Sequence, residues 1–200
     1  MTMRQLRFKR VFDLTVCVLL LPMALLVMAL IALAIRIDSP GPIVFVQLRT
    51  GRDGRRFKMY KFRTMVQNAE ELKASLQHLN ILPPPDFKII NDPRITRVGR
   101  FLRRTSLDEL PQLVNVLLGD MSLVGPRPTS FHSSTYSLWH TRRLEAPPGI
   151  TGLWQVTGRN AMTFDERLRL DIFYIEHRSF LLDLKILFQT FTTVLGRSGA

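Results

Sequence analysis

The sequence contains few of the residues that build disulfides and metal clusters. Cys17 is the only cysteine among 200 residues, so no intramolecular disulfide can form, which fits a reducing compartment. The four histidines show no metal-ligand spacing, and one cysteine cannot build a structural zinc site. Neither a Walker loop nor a G-x-G-x-x-G fingerprint occurs, which leaves ATP- and NAD-binding folds of those types without support.

Acidic residues are also scarce. The chain has 16 acidic against 28 basic residues, a net charge of +12. Such an excess favours a polyanionic partner or surface, and nucleic acid, anionic lipid headgroups and phosphorylated substrates are the three candidates. With 46% apolar residues, a chain of this length can form one domain with a core.

The longest uncharged stretch covers the 22 residues from Leu14 to Ile35 and predicts a membrane helix. Pro22 lies inside this stretch, where proline removes a hydrogen bond and kinks a helix. Both flanks are rich in arginine and lysine, so the positive-inside rule places both ends in the cytoplasm. We therefore predict a re-entrant helix. A single span with a short outer tail, or a cleaved signal peptide, is the alternative.

Several local patterns predict the elements that follow. Residues 43–48 and 57–62 are predicted to form two short strands joined around Arg52-Asp53-Gly54, which indicates a hairpin. Lys61 and Arg63 stand at the end of its second strand. Residues 151–160, with Gln155, Arg159 and Asn160, resemble a loop that closes over a ligand. A capping box at Thr163 and Glu166 predicts a helix, and the apolar repeat over 180–195 predicts an amphipathic one.

An adjacent pair of carboxylates, Asp108 and Glu109, is the most informative feature of the chain. Ser106 and Glu109 have capping-box spacing, which predicts a helix that begins there and ends at Gly119. Acids at a helix start tend to stay ionised, and ionised carboxylates can hold a divalent cation or act as a nucleophile. Ordinary helix capping remains the alternative interpretation.

Arginines surround this pair on both sides. A stripe at i, i+3 and i+7 leads into the pair along one predicted helical face, and one further arginine stands in a Pro-Arg-Pro turn. Guanidinium groups bind phosphate through paired hydrogen bonds, so we expect an anion site here. The stripe consists of Arg97, Arg100 and Arg104, and the arginine of the turn is Arg127. Arg103 stands beside Arg104 just before the acid pair.

The order of these motifs resembles the bacterial sugar transferase family, the small monotopic phosphoglycosyl transferases. The resemblance covers essentially the whole chain. It rests on Lys9-Arg10-x-x-Asp13, Ser39-Pro40-Gly41-Pro42, Lys61-Phe62-Arg63-Thr64-Met65, the segments 106–112 and 119–128, and Pro148-Gly149-Ile150-Thr151-Gly152.

The resemblance implies a reaction and a set of residues. The family transfers a sugar 1-phosphate from a nucleoside diphosphate sugar to a polyprenol phosphate and releases a nucleoside monophosphate, usually UMP. For this chain we expect a UDP-sugar as donor and undecaprenyl phosphate as acceptor. Asp108 matches its catalytic nucleophile, Glu109 its partner, and Mg²⁺ is expected at this pair. Arg103 and Arg127 match residues at the substrate phosphates. We also place Lys61, Arg63, Arg104, Gln155, Arg159 and Asn160 near the substrate from chemistry and motif position.

Together these observations predict a mostly α fold with a small β-hairpin, anchored by the re-entrant helix and by interfacial helices. Residues 1–38 would form the membrane segment and 39–200 the catalytic domain, on the cytoplasmic face of the bacterial inner membrane. We expect UDP-sugar, polyprenol phosphate and the bilayer as partners, no nucleic acid, and leave open a homodimer. Because few residues precede the apolar run, the chain resembles a short family form or an isolated core.

A non-catalytic alternative is a membrane-anchored basic protein that binds anionic lipid or nucleic acid. It explains the charge but gives no role to Asp108 and Glu109. Added Mg²⁺ distinguishes the two hypotheses, because divalent salt weakens electrostatic binding, whereas the transferase requires it.

Overall fold

A computed structural model describes residues 3–82, 87–158 and 162–196 and shows a largely helical chain with two small sheets. The predicted residues Arg159 and Asn160 lie outside the described residues. The helices are α1 (Met3–Asp38), α2 (Glu71–Ser75), α3 (Arg97–Thr105), α4 (Gln112–Leu118), α5 (Leu153–Thr157), α6 (Phe164–His177) and α7 (Phe180–Leu195). The strands are β1 (Val44–Thr50), β2 (Arg56–Phe62), β3 (Ser122–Val124) and β4 (Gly149–Thr151).

Helix α1 is a continuous helix of 36 residues, and Pro22 lies inside it without ending it. One face packs against the rest of the protein and includes Lys9, Asp13, Cys17 and Ile35. Many large apolar side chains on the other faces are exposed, and this is the one helix in the described part long and apolar enough to cross a bilayer. An exposed apolar surface of this extent indicates membrane association.

The first part of α1 is held by long side chains. Lys9 forms a buried ion pair with Asp183 of α7 at 2.7 Å, and the Tyr174 hydroxyl donates a hydrogen bond to the same carboxylate. Arg10 donates to the carbonyl of Val116 at the end of α4. These contacts place the N-terminal flank of the apolar stretch against α4 and α7.

Strands β1 and β2 form the predicted antiparallel hairpin, with Val44 opposite Phe62 and Thr50 opposite Arg56. The turn uses left-handed backbone at Asp53 (φ 55°) and Gly54 (φ 76°), which aspartate tolerates and glycine favours. This prediction is confirmed, with each strand one residue longer than expected. The hairpin carries Lys61 and Arg49 toward the site described below.

The segment before the acid pair differs from the prediction. Ser106 adopts left-handed backbone (φ 57°) as the C-terminal cap of α3, and its hydroxyl makes no capping bond. Its carbonyl accepts the backbone N–H of Glu109, and a single 3₁₀ turn over Leu107–Glu109 leads on to α4. The predicted capping box is therefore wrong, because an N-cap requires extended backbone. The predicted end of the helix at Gly119 (φ 94°) is confirmed.

A second sheet, absent from the predicted fold, pairs β3 and β4 in parallel. A Cβ on Gly125 or Gly149 would overlap backbone of the other segment, so glycine permits the close approach. The structure places α5 within the predicted 151–160 loop, so residues 153–157 of that segment are helical. The capping box of α6 at Thr163 and Glu166 is confirmed, and α7 is the predicted helix over 180–195.

Candidate active site

The 3₁₀ turn after α3 directs Asp108 and Glu109 toward the end of β2. Glu109 Oε1 accepts hydrogen bonds from Lys61 Nζ at 2.8 Å and from a terminal nitrogen of Arg127 at 2.5 Å. Asp108 is less engaged: its closest cation among the described residues is Lys61, with 4.0 Å between Nζ and Oδ2. Both acid side chains are mostly buried, 13% and 15% exposed.

The two neighbouring carboxylates therefore have different electrostatic environments. Burial raises the pKa of Asp108, and Lys61 only partly offsets this effect. Burial alone would raise the pKa of Glu109 too, but the ion pairs with Arg127 and Lys61 outweigh it and hold this pKa well below the usual range. Glu109 is thus a fixed anion, whereas Asp108 is the carboxylate whose charge remains the less compensated of the two.

Arg127, in the Pro-Arg-Pro turn, is supported from behind by a buried ion pair. One terminal nitrogen of Arg143 donates to Asp171 Oδ2 and to the Arg127 carbonyl, each at 2.6 Å. The Arg143 and Asp171 side chains are 4% and 2% exposed. Burial raises the pKa of Asp171 to about 6, against the attraction of Arg143. Sequence alone did not show this partner for Asp171, because the two residues come together only in the fold.

Arg103 reaches the site from the last turn of α3. Its Nε donates to the Thr64 hydroxyl at 2.9 Å. Burial raises the pKa of Asp108, and the charge of Arg103 is one of the smaller effects that oppose this rise. Gly99 allows α3 to approach this closely, because a Cβ at that position would overlap the Thr64 backbone. Arg63 lies at the edge of the site with its guanidinium donating to the carbonyls of Ser39 and Pro40. Its contacts thus hold the turn after α1.

The acid pair lies in a cleft of about 760 Å³, within the size range of ligand sites. Lys61, Arg63, Arg103, Arg127 and Gln155 also line it, so the structure brings these predicted residues together. Arg104 lines an adjoining groove of about 980 Å³ instead, together with Arg100. The cleft and the groove share a wall that includes Arg103 and Arg127.

Arg49 belongs to this shared wall and was not among the predicted site residues. It donates to the Gln47 side chain at 2.5 Å and to the Pro128 carbonyl at 3.3 Å. Burial, and the neighbouring positive charge of Arg127, lower the pKa of Arg49 to about 10. The strand pattern offered a signal: Phe45, Gln47 and Arg49 alternate onto the face of β1 that lines the cleft.

The acid pair also fits the chemistry of a magnesium site. The described residues contain no group of three or more potential acid, histidine or cysteine ligands, so Asp108 and Glu109 are the donors available. Mg²⁺ commonly takes only one or two carboxylates and completes its shell with water and substrate phosphates. Because Glu109 is already paired with two cations, Asp108 would be the stronger of the two ligands.

Comparisons with known proteins agree with the motif order. The family described as bacterial sugar transferase matches residues 4–197. An undecaprenyl-phosphate galactose phosphotransferase of Salmonella typhimurium is 47% identical over 98% of this chain and 42% of its own length. A UDP-galactose-lipid carrier transferase of Erwinia amylovora is 43% identical, over 96% and 41%.

An uncharacterized sugar transferase of Bacillus subtilis, EpsL, is 41% identical over 96% of this chain and 89% of its own length. The Salmonella and Erwinia relatives are much longer, and this chain spans about two fifths of their length.

Proposed function

This chain belongs to the bacterial sugar transferase family, and on that premise we propose that it transfers a sugar 1-phosphate from a UDP-sugar to a polyprenol phosphate. The products would be a polyprenol diphosphate sugar and UMP. The names of the Salmonella and Erwinia relatives, which mention undecaprenyl phosphate, UDP-galactose and a lipid carrier, support both substrate classes.

The unequal pairing of the two acids carries this proposal. Glu109 has an oxygen bound by both Lys61 and Arg127, whereas Asp108 faces the same cleft with its nearest described cation at 4.0 Å. A carboxylate must be ionised and accessible to attack phosphorus, and a carboxylate locked between two cations is a poor nucleophile. Asp108 is therefore the nucleophile, and Glu109 fixes Lys61 and Arg127 in place.

Two displacements account for the reaction. In the first, an oxygen of Asp108 attacks the β-phosphorus of the UDP-sugar, and the bond from this phosphorus to the bridging oxygen breaks, releasing UMP. In the second, a phosphate oxygen of the lipid attacks the aspartyl phosphorus and frees Asp108. Lys61, Arg103 and Arg127 neutralise the phosphate oxygens so that an anion can approach another anion.

We assign Mg²⁺ to Asp108 and Glu109, with most of the contact at Asp108. When bound, it would neutralise negative charge on the transferring phosphoryl group. Lys61 and Arg127 hold Glu109 in one orientation whether or not the metal ion is bound, so this part of the site is preorganised by the protein itself.

Intact-protein mass spectrometry tests the covalent step. The protein is incubated with Mg²⁺ and a panel of UDP-hexoses and UDP-N-acetylhexosamines, without lipid. We expect a mass gain of one sugar phosphate with the correct donor and none in Asp108→Asn. UMP release that needs polyprenol phosphate, with no adduct, would indicate direct transfer. No adduct and no lipid product from folded protein would refute the transferase function.

We also propose that α1 enters the cytoplasmic leaflet of the inner membrane and does not cross it. Its beginning contacts the catalytic part through Lys9 and Arg10, and at its end Asp38 accepts the backbone N–H of Val98 in α3. A straight helix of 36 residues is about 54 Å long, well beyond the hydrocarbon thickness of about 30 Å. Contacts at both ends with one domain support a monotopic arrangement.

Cysteine labelling tests this topology. In a Cys17→Ala background, a membrane-impermeant maleimide is applied to Met3→Cys and Ile37→Cys variants, which mark the two ends of α1. Both positions should react in inside-out vesicles and neither in intact spheroplasts. Reaction of Met3→Cys in spheroplasts would show that the helix crosses the bilayer.

A further inference from the structure

Arg49 is a cation of the shared wall that has no acidic partner in the described part of the chain. Its side chain lines both the cleft with the acid pair and the adjoining groove. Its hydrogen bonds go to two neutral acceptors, the Gln47 side chain and the Pro128 carbonyl, and none of the ion pairs among the described residues includes it. A guanidinium has five N–H donors, so most of its capacity to bind an anion remains available.

The cations nearest to Arg49 are already engaged. Lys61 and Arg127 both donate to Glu109. Arg103 interacts electrostatically with the nucleophilic carboxylate, whereas the charged groups that act most strongly on Arg49 are Arg127 and Glu109. Burial, together with the charge of Arg127, lowers the pKa of Arg49, which indicates a positive charge that the protein compensates only in part. Arg49 thus adds a positive charge beside an ion pair that is already complete.

The first displacement of the proposed reaction creates negative charge on the leaving group. The attacking and leaving oxygens of a phosphoryl transfer lie roughly in line, so the α-phosphate lies on the side of the β-phosphorus away from Asp108. When the bond from the β-phosphorus to the bridging oxygen breaks, its electron pair stays on that oxygen, and UMP leaves as a dianion without needing a proton. A cation placed at the α-phosphate stabilises this developing charge.

We propose that Arg49 is a further catalytic residue, which binds the α-phosphate of the UDP-sugar and stabilises UMP as the leaving group. The assignment rests on the proposed function. It gives the two phosphates separate cations, with Arg103 near the phosphorus that Asp108 attacks and Arg49 at the phosphate that departs. Gln47 accepts from one terminal nitrogen at 2.5 Å, so the guanidinium is oriented before the substrate binds.

Loading the same covalent adduct by two routes tests the assignment. Asp108 receives the sugar phosphate from UDP-galactose or UDP-glucose, with UMP as leaving group, or from the matching undecaprenyl diphosphate sugar, with undecaprenyl phosphate as leaving group. Intact-protein mass spectrometry after rapid quenching measures both rates. Arg49→Gln should load about ten- to a hundredfold more slowly from the UDP-sugar. Loading from the lipid should stay within about threefold of the wild type, because that route contains no α-phosphate of UMP.

Two further variants complete the experiment. Arg49→Lys keeps the charge but loses the planar fork, so its loading from the UDP-sugar should fall between that of the wild type and Arg49→Gln. Arg52→Gln is the matched control, because it removes one positive charge from the turn of the same hairpin. The Arg52 side chain is 51% exposed and lines neither the cleft nor the groove. This control should load at the wild-type rate by both routes.

The two routes also separate the ways in which the assignment can fail. Equal slowing of both routes in Arg49→Gln and Arg49→Lys would attribute the effect to general damage of the site and overturn the proposal. Wild-type loading from the UDP-sugar in Arg49→Gln would overturn it as well, while the proposed function would stand. If the wild type forms no adduct and no lipid-linked product with any donor, the proposed function itself fails, together with this assignment.

Discussion

Substitutions of the ion pair between Arg143 and Asp171 can separate two effects of this pair. One is its contribution to the stability of the fold, and the other is the hydrogen bond by which Arg143 supports Arg127. We consider three variants: Arg143→Met, Asp171→Asn, and the double variant Arg143→Met with Asp171→Leu. Each single variant leaves one buried charge without its partner, whereas the double variant replaces the pair with apolar side chains. Every variant that lacks Arg143 also lacks the donor to the Arg127 carbonyl.

The expected magnitudes follow from the burial of the pair. Breaking a buried ion pair by removing one partner typically costs about 3–5 kcal/mol. For a domain of this size the Tm falls roughly 2–4 °C per kcal/mol, which gives a decrease of roughly 6–20 °C for each single variant. The double variant should recover most of this loss, because an apolar replacement carries no unpaired charge.

Activity should not recover with stability. A hydrogen bond involving a charged group contributes about 1.5–3 kcal/mol, and each 1.36 kcal/mol of lost transition-state stabilisation is about a tenfold loss of rate. The double variant should therefore transfer sugar phosphate roughly ten- to a hundredfold more slowly than the wild type. Arg142→Met is the matched control, because Arg142 forms an exposed ion pair with Glu176 at 2.7 Å; it should change the Tm by at most a few degrees.

The measurements are thermal unfolding in detergent or nanodiscs and the rate of UMP release with both substrates. Full activity in the stable double variant would refute the reasoning, since it would show that Arg127 needs no support from Arg143. Single variants as stable as the wild type would refute the assumed cost of the unpaired charge.

Three further predictions follow from local geometry. Gly99→Ala should lower the Tm, and it should lower the rate of UMP release more than tenfold, because the new Cβ would push α3 away from Thr64. Normal activity in this variant would contradict the close packing of α3 against Thr64. Ser106→Val should destabilise the protein by about 1–2 kcal/mol through its left-handed backbone, while Ser106→Gly should not, as thermal unfolding can show. The folded-state pKa of Glu109 lies below its usual value, so its ion pairs stabilise the fold above pH about 4.5 and are lost as the pH falls further. Denaturant titrations in EDTA should thus show a constant difference in the free energy of unfolding between the wild type and Glu109→Gln from pH 5 to 7, and a smaller difference below pH 5. A difference that grows as the pH falls would contradict a lowered pKa of Glu109 in the folded state.

The sequence predicted features that depend on neighbouring residues. The Asp53-Gly54 turn, the capping box at Thr163 and the end of α4 at Gly119 each rely on contacts within a few positions, and the structure contains all three. Ser106 shows the limit of such patterns. The same spacing that forms a capping box after extended backbone forms none here, because the preceding helix α3 continues to Thr105 and uses Ser106 as its own cap.

Features that depend on distant residues could not be read in this way. Asp171 binds Arg143, which lies 28 positions before it in the sequence. Arg49 becomes part of the site only because β1 pairs with β2. The parallel pair of β3 and β4 is too short to give an alternating pattern, since each strand has three residues. In each case the deciding partner lies outside any local window.

The contact between Lys9 and Asp183 also constrains how the chain is made. These residues are separated by 174 positions, so the ammonium group leaves the ribosome long before its carboxylate exists. During synthesis the membrane segment must therefore settle in the bilayer without this contact, and the catalytic part closes onto it only when α7 emerges. The Lys9–Asp183 contact can therefore form only after α7 has been synthesised. A chain truncated before Asp183 would retain the membrane helix, but Lys9 would lack the carboxylate that fixes this helix to α7.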